Sequence, residues 1–205
     1  MRLQNDRRRF VTWEALCKYF FQKHISEEST ILELGAGYCD FINNIQAKKK
    51  FAIDIWHEFP KYANVGIETH VGDVAHCSKF VTSKVDLVFA SNLFEHMGKN
   101  KVKEVLADLK TIMIPSKSRL ILLQPNFRLN PGRYFDDYTH ESIWTDISLS
   151  EFLASNGFEV ESSFPKFLPL TVKSKLPVSK ILIWIYLKSP VKLKAGQMLI
   201  IAKLI

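Results

Sequence analysis

The sequence predicts an α/β fold, a mostly parallel β-sheet covered by helices on both faces. Three observations predict it. Short apolar runs alternate with helical stripes up to residue 124. Most of the runs are largely apolar, as expected of strands buried on both faces. Several end at a chain-turning residue, among them Gly35, Gly72 and Pro125.

Trp13, Leu16, Cys17, Phe20 and Phe21 recur at helical spacing, which predicts an amphipathic N-terminal helix over residues 10–24. Residues 30–34 predict the first strand, ended by Gly35. Residues 38–47 suit a helix, and residues 50–55 a second strand. Residues 67–71 read as the third strand and 85–90 as the fourth. Val102, Val105, Leu106, Leu109, Ile112 and Met113 form a helical stripe that stops before Pro115. Residues 119–124 form the fifth strand, followed by a loop-rich stretch over 125–147. Ser148-Leu149-Ser150-Glu151 reads as a capping box opening a helix that Gly157 closes. Residues 158–163 suit a sixth strand, 165–195 a basic insertion, and 197–204 a final strand. A chain of 205 residues with this pattern is expected to be one domain over 1–205.

Charge is local. The net charge is +7, and residues 165–195 carry seven lysines with no acid. The remainder is close to neutral, which argues against a uniformly basic nucleic-acid-binding body. The apolar run 181–187 is seven residues long, whereas a bilayer span needs about 20. No secretory signal is visible at the N-terminus. Cys17, Cys39 and Cys77 are an odd count without CxxC spacing, so neither a disulfide framework nor a zinc site is expected. The expected compartment is the cytoplasm, with peripheral membrane contact through 165–195 as an option.

Ligands of such sheets bind beyond the carboxyl ends of the strands. The first strand runs into Glu33-Leu34-Gly35-Ala36-Gly37-Tyr38-Cys39-Asp40. A glycine-rich turn there lets a ligand approach the backbone. A dinucleotide would need glycine where Asp40 stands, and its pyrophosphate would be repelled by Asp40 and Glu33. S-adenosylmethionine (SAM) carries an ammonium and a sulfonium, so the same acids become attractive. An NAD-dependent oxidoreductase is disfavoured on this ground.

The Glu33-to-Gly37 segment resembles motif I of the class I SAM-dependent methyltransferases. That resemblance implies a Rossmann-like, seven-stranded, mostly parallel sheet of order 3-2-1-4-5-7-6. It gives Glu33, Gly35, Ala36 and Gly37 to the cofactor. Many members carry a third glycine where this chain has Cys39. Asp54, with its neighbour Ile55, matches the ribose-binding acid; a strand-end Asp can also simply cap a helix. Asp73, with Val74, matches the acid that accepts from the adenine amino group; its plain alternative is a turn aspartate. Ser91-Asn92-Leu93-Phe94-Glu95-His96 resembles the motif IV region. Ser91 and Asn92 would lie beside the methionine part of SAM, and Phe94 would face the substrate. Glu95 and His96 equally suit a structural role in the strand–helix turn. The resemblance covers residues 30–124 and the final strands. The cofactor implied is SAM, with S-adenosylhomocysteine as product.

The turn after the fourth strand lacks the prolines of amino-methylating DNA enzymes and the Pro-Cys of C5-methylating ones. The stretch 124–140 holds Arg128, Arg133, Tyr134, Asp136, Asp137, Tyr138 and His140, a mixture that suits a hydroxyl-rich acceptor. It is similar to small-molecule methyltransferases of glycan biosynthesis, and 145–149 continues the likeness. O-methylation needs a base for the hydroxyl proton, for which a neutral histidine is suited. His140 is the first candidate, with Asp137 as orienter or alternative base, and His96 the second. Acids of the catechol-type metal set are absent, so no metal is expected. The reading is a SAM-dependent O-methyltransferase acting on a sugar, glycan precursor or other small metabolite. Its alternatives are an RNA methyltransferase using the basic patch, and a SAM-fold scaffold without catalysis.

Overall fold

The computed structural model describes residues 7–169 and 179–205. Lys173 and Lys175 of the basic segment lie outside the described residues. Seven strands form one sheet: β1 Thr30–Leu34, β2 Lys49–Asp54, β3 Ile67–Val71, β4 Leu87–Ser91, β5 Arg119–Pro125, β6 Phe158–Pro169 and β7 Ala195–Leu204. Their order is β3-β2-β1-β4-β5-β7-β6. The first five run parallel, and β7 is antiparallel to both β5 and β6. This is the Rossmann-like sheet that the resemblance implied.

The helices are α1 Arg7–Tyr19, α2 Asp40–Asn44, α3 Lys99–Ile112, α4 Pro131–Tyr134, α5 Asp146–Ser155 and α6 Lys180–Lys188. Strand side chains alternate between two buried cores. On β1 and β4, Leu32, Leu34, Val88 and Ala90 face the core that also holds α3 and α5 residues. Ile31, Leu87 and Phe89 face the core that holds Leu16, Phe21 and Phe41. There Phe41 stacks on Phe89 with ring centroids 3.8 Å apart. α3 buries Val102, Val105, Leu106, Leu109 and Ile112. At about 1.5–3 kcal/mol for each fully buried large side chain, packing rather than propensity holds α3 in place.

Several strand ends shift by one or two residues, and four larger differences from the sequence expectation stand out. The N-terminal helix is α1 from Arg7 to Tyr19, and a separate 3-10 turn follows at Phe21–His24. The helix expected over 38–47 is reduced to α2, because Cys39 ahead of it is left-handed. The capping box is not at Ser148–Glu151. Thr145 is the N-cap of α5, its side chain accepts from Ser148 N, and the Ser148 hydroxyl accepts from Thr145 N. A serine at N3 performs the reciprocal half usually given to Glu or Gln. Finally, the basic insertion does not begin at 165, because β6 runs on to Pro169 with register shifts after Val160 and Phe164. Prolines 165 and 169 are tolerated there because β6 is an edge strand.

Candidate active site

The glycine-rich turn is folded back onto β2. Gly35 N donates to Ile53 O at 2.8 Å, and Gly37 N donates to Asp54 Oδ2 at 2.7 Å. Gly35 has φ +65, and a Cβ there would lie 2.8 Å from Leu93 Cδ1. Gly37 has φ +50 and open space where its Cβ would be, so the backbone of this turn is accessible to a ligand. Cys39, where the resemblance implied a third glycine, has a glycine-like φ of 58. Its thiol is buried, and burial pushes its pKa up to about 12.

The strand-end acids differ in what they already hold. Glu33 is buried, and its Oε2 accepts from Ile42 N at 3.0 Å, inside the β1–α2 corner. Burial first, and then the Asp40 and Asp54 charges, drive its pKa well above the usual carboxylate range, against the Ile42 hydrogen bond. Asp54 accepts from Gly37 N with one oxygen and from Trp56 N, at 2.8 Å, with the other. A carboxylate has about four lone-pair sites, so capacity for ribose hydroxyls is left. Ile55 beside it is 75% exposed. Asp73 caps the following 3-10 turn through Ala75 N and meets Lys101 Nζ at 2.6 Å. Its pKa is lowered, the Lys101 and Ala75 hydrogen bonds outweighing desolvation. Val74 is buried and belongs to the α3-side core. Ala36 is likewise buried, on the other side.

β4 ends at Ser91. Asn92 follows with φ 49, a left-handed position stabilised by Asn92 N donating to Leu123 O and by Gln197 Nε2 donating to Asn92 Oδ1. Phe94 is fully buried in the core, so it does not face a substrate as expected. An apolar ring following Leu93 in a tight turn gains more from burial than from solvent.

The loop after β5 is laid over this turn. Glu141 N and Ser142 N both donate to Glu95 O, Ser142 Oγ donates to Met97 O, and Trp144 Nε1 donates to Phe94 O. Tyr134 OH donates to Ser142 O from inside the fold. Tyr134 is therefore a structural residue, and Arg128 is engaged by Asp146 at 3.2 Å. Arg133, Asp136 and Tyr138 remain exposed.

This clamp brings Glu95, His96 and His140 together. The imidazoles of His96 and His140 lie 4.9 Å apart, edge to face. Asp137 does not orient His140 by hydrogen bond. Its Oδ1 accepts from Thr139 N at 3.0 Å and from Thr139 Oγ1 at 2.5 Å. The Thr139 hydroxyl proton is thereby committed, so Thr139 Oγ1 accepts from His96 Nδ1 at 2.9 Å, with Thr139 O at 3.2 Å as a second acceptor. The His96 Nε2 lone pair is then free. Glu95 is fully buried and neither of its oxygens has a hydrogen-bond partner. An unpaired buried charge costs several kcal/mol; burial instead pushes its pKa up to about 8. Burial, and then His96, lower the pKa of His140. Sequence reasoning left Glu95 open between turn closure and function; its orphaned carboxyl became visible only once the loop was placed.

A hollow of about 430 Å³ lies near the start of β5, lined by Lys23, His24, Arg119 and Glu161. Arg119 and Glu161 pair there at 2.6 Å. It is at the wrong end of the parallel strands for a cofactor of this fold.

Sheet order, the β1 turn and the acids ending β2 and β3 are arranged as in the class I SAM-dependent methyltransferase fold. Residues 32–119 match the family model of the methyltransferase domain, from within β1 to the start of β5. Solved structures share the fold. A SAM-dependent methyltransferase from Archaeoglobus fulgidus is 19% identical with TM-score 0.68, covering 95% of this chain and 94% of that one. One from Clostridium acetobutylicum is 10% identical, with TM-score 0.66 and coverage of 95% and 92%. Magnesium protoporphyrin IX methyltransferase from Synechocystis, with bound SAM, is 11% identical, with TM-score 0.61 and coverage of 97% and 80%. No curated protein matches the chain by sequence.

Proposed function

We propose that the protein transfers the methyl group of SAM to a hydroxyl of a polar small molecule, such as a sugar, a glycan precursor or a related metabolite. The carrying observation is the His96–His140 pair beyond the carboxyl end of β4, with His96 Nε2 left as a free lone pair. SAM supplies a methyl group on a cationic sulfur. The Gly35–Gly37 turn and Asp54 would hold its methionine and ribose parts, and Asp73 its adenine amino group. Ser91 and Asn92, at the end of β4, would lie beside them. In-line displacement depends mainly on positioning. What the chain adds is activation of the acceptor hydroxyl at the His96–His140 cluster, with Asp137 acting through Thr139. The exposed Asp136, Asp137 and Tyr138 offer hydrogen bonds to a hydroxyl-rich acceptor. The test is transfer of labelled methyl from SAM to a panel of sugars, nucleotide-sugars and phenols, with total RNA as control. Label in RNA alone would replace this reading with an RNA methyltransferase.

A second reading concerns where the acceptor is met. α6 leaves Ile181, Leu182, Trp184 and Ile185 exposed while its other face packs on α1. Val191 and Leu193 extend the apolar patch. Residues 179–195 carry Lys180, Lys188, Lys192 and Lys194 and no acid. An apolar face edged by cations fits an anionic lipid surface. No helix among the described residues is long and apolar enough to cross a membrane, so contact would be peripheral.

A further inference from the structure

We propose that Glu95, His96 and His140 form a binding site for a divalent transition-metal ion of the zinc class. One ligand atom from each residue lies within 4.8 Å of the others. Tetrahedral zinc with bonds of about 2.0–2.1 Å places its donors roughly 3.3–3.5 Å apart, so small side-chain rotations close the set.

The three groups converge without bonding one another. His96 Nε2 stands 4.0 Å from Glu95 Oε1, too far for a hydrogen bond. Both Glu95 oxygens and His140 Nδ1 are buried without a partner. Buried polar atoms are nearly always satisfied, so three orphaned atoms on two residues of one cluster call for a missing partner. A cation satisfies all of them at once, whereas a water offers only two protons.

The supporting shell fits the same role. Metal-binding imidazoles typically donate their other N–H to a carbonyl or hydroxyl, which fixes the tautomer. His96 does this: Nδ1 is committed to Thr139, whose hydroxyl is held in turn by Asp137. Two imidazoles and one carboxylate make a three-ligand set that leaves a position open. This donor set differs from the strand-end acids whose absence argued against a metal, because it joins the β4 turn to a loop that follows β5.

The site stands on its donors and does not depend on the acceptor's identity. Where the O-methylation reading also holds, the open position takes the acceptor hydroxyl. A cation held there would acidify that hydroxyl; its proton would leave to water, the oxygen lone pair would form the new C–O bond, and the methyl–sulfur bond would break with its electron pair left on sulfur as a neutral thioether. The ring lone pairs then serve the ion rather than the proton.

The test is calorimetric titration of the full chain with zinc chloride, after dialysis against a chelator and without acceptor. One equivalent is expected for the wild type, with binding lost in Glu95→Gln and in His140→Ala. Thr139→Val keeps every ligand and removes the hydroxyl that supports His96 Nδ1, leaving only the Thr139 carbonyl, so it is expected to weaken zinc by up to about 10-fold. Circular dichroism and SAM affinity report that each variant is folded; should Glu95→Gln fail to fold, His140→Ala and Thr139→Val carry the comparison. Absence of zinc binding by the folded wild type, or equal binding by the variants, overturns the site. Neither result bears on methyl transfer, which the labelled-methyl assay reads separately.

Discussion

His140 stands edge to face against His96 at 4.9 Å, although one residue lies in the loop after β5 and the other in the turn after β4. Backbone bonds from Glu141 and Ser142 to Glu95 O hold them so. Removing the His140 imidazole should therefore disable the acceptor side and leave the cofactor side alone. His140→Ala is expected to lower turnover by about 10²–10⁴-fold with SAM affinity unchanged, read by labelled-methyl kinetics and calorimetry. Turnover that survives would move hydroxyl activation elsewhere.

Asp54 joins the glycine-rich turn to the segment after β2, since it accepts from Gly37 N on one side and Trp56 N on the other. Asp54→Ala is expected to weaken SAM by more than about tenfold. Hydrogen bonds to a charged group contribute about 1.5–3 kcal/mol each, and about 1.4 kcal/mol is tenfold. Asp54→Asn keeps one acceptor oxygen and should fall between. Calorimetric affinity equal to wild type in Asp54→Ala would remove Asp54 from the cofactor site.

The cap of α5 separates two positions. Thr145→Ala should cost about 1 kcal/mol, a fall in Tm of roughly 2–4 °C for a chain of this size. Glu151→Ala, at the exposed residue that a cap at Ser148 would require, should stay within about 0.5 kcal/mol. Thermal melts of the two variants give the order directly, and a larger loss in Glu151→Ala would contradict the cap.

If α6 rests on a lipid surface, the chain should co-sediment with vesicles containing anionic phosphatidylserine and much less with phosphatidylcholine alone. Salt should weaken the binding. Ile181→Glu with Ile185→Glu should abolish it without changing SAM affinity. Equal binding to neutral vesicles, or none, would dismiss the membrane reading, and concentration-dependent self-association would assign the patch to a second copy of the chain.

Much of this molecule was legible beforehand because its signals are local. Gly35 and Gly37 report a turn whose φ values are +65 and +50, and residues 30–34 and 67–71 report strands with their bounds intact. Asp54 and Asp73 were legible by their strand-end positions. Boundaries failed where two local rules competed. Ser148 and Thr145 can each start a helix, and tertiary contacts at Asn126, whose Nδ2 donates to Asp146 Oδ1 at 2.9 Å, place the start at Thr145. Phe94 resembled a substrate-facing ring in sequence, but only the packed core shows it fully buried.

The sequence by itself determined the sheet, its order by likeness and the positions of the acids at the strand ends. Those follow from hydrophobic periodicity and turn chemistry, which act over a few residues. Tertiary structure alone decided that Asp137 serves His96 through Thr139 instead of His140, and that Glu95 lies orphaned between two imidazoles. Those relations depend on a loop after β5 docking onto a turn after β4. Burial and hydrogen-bond satisfaction are sums over residues distant in the chain, so no local pattern records them.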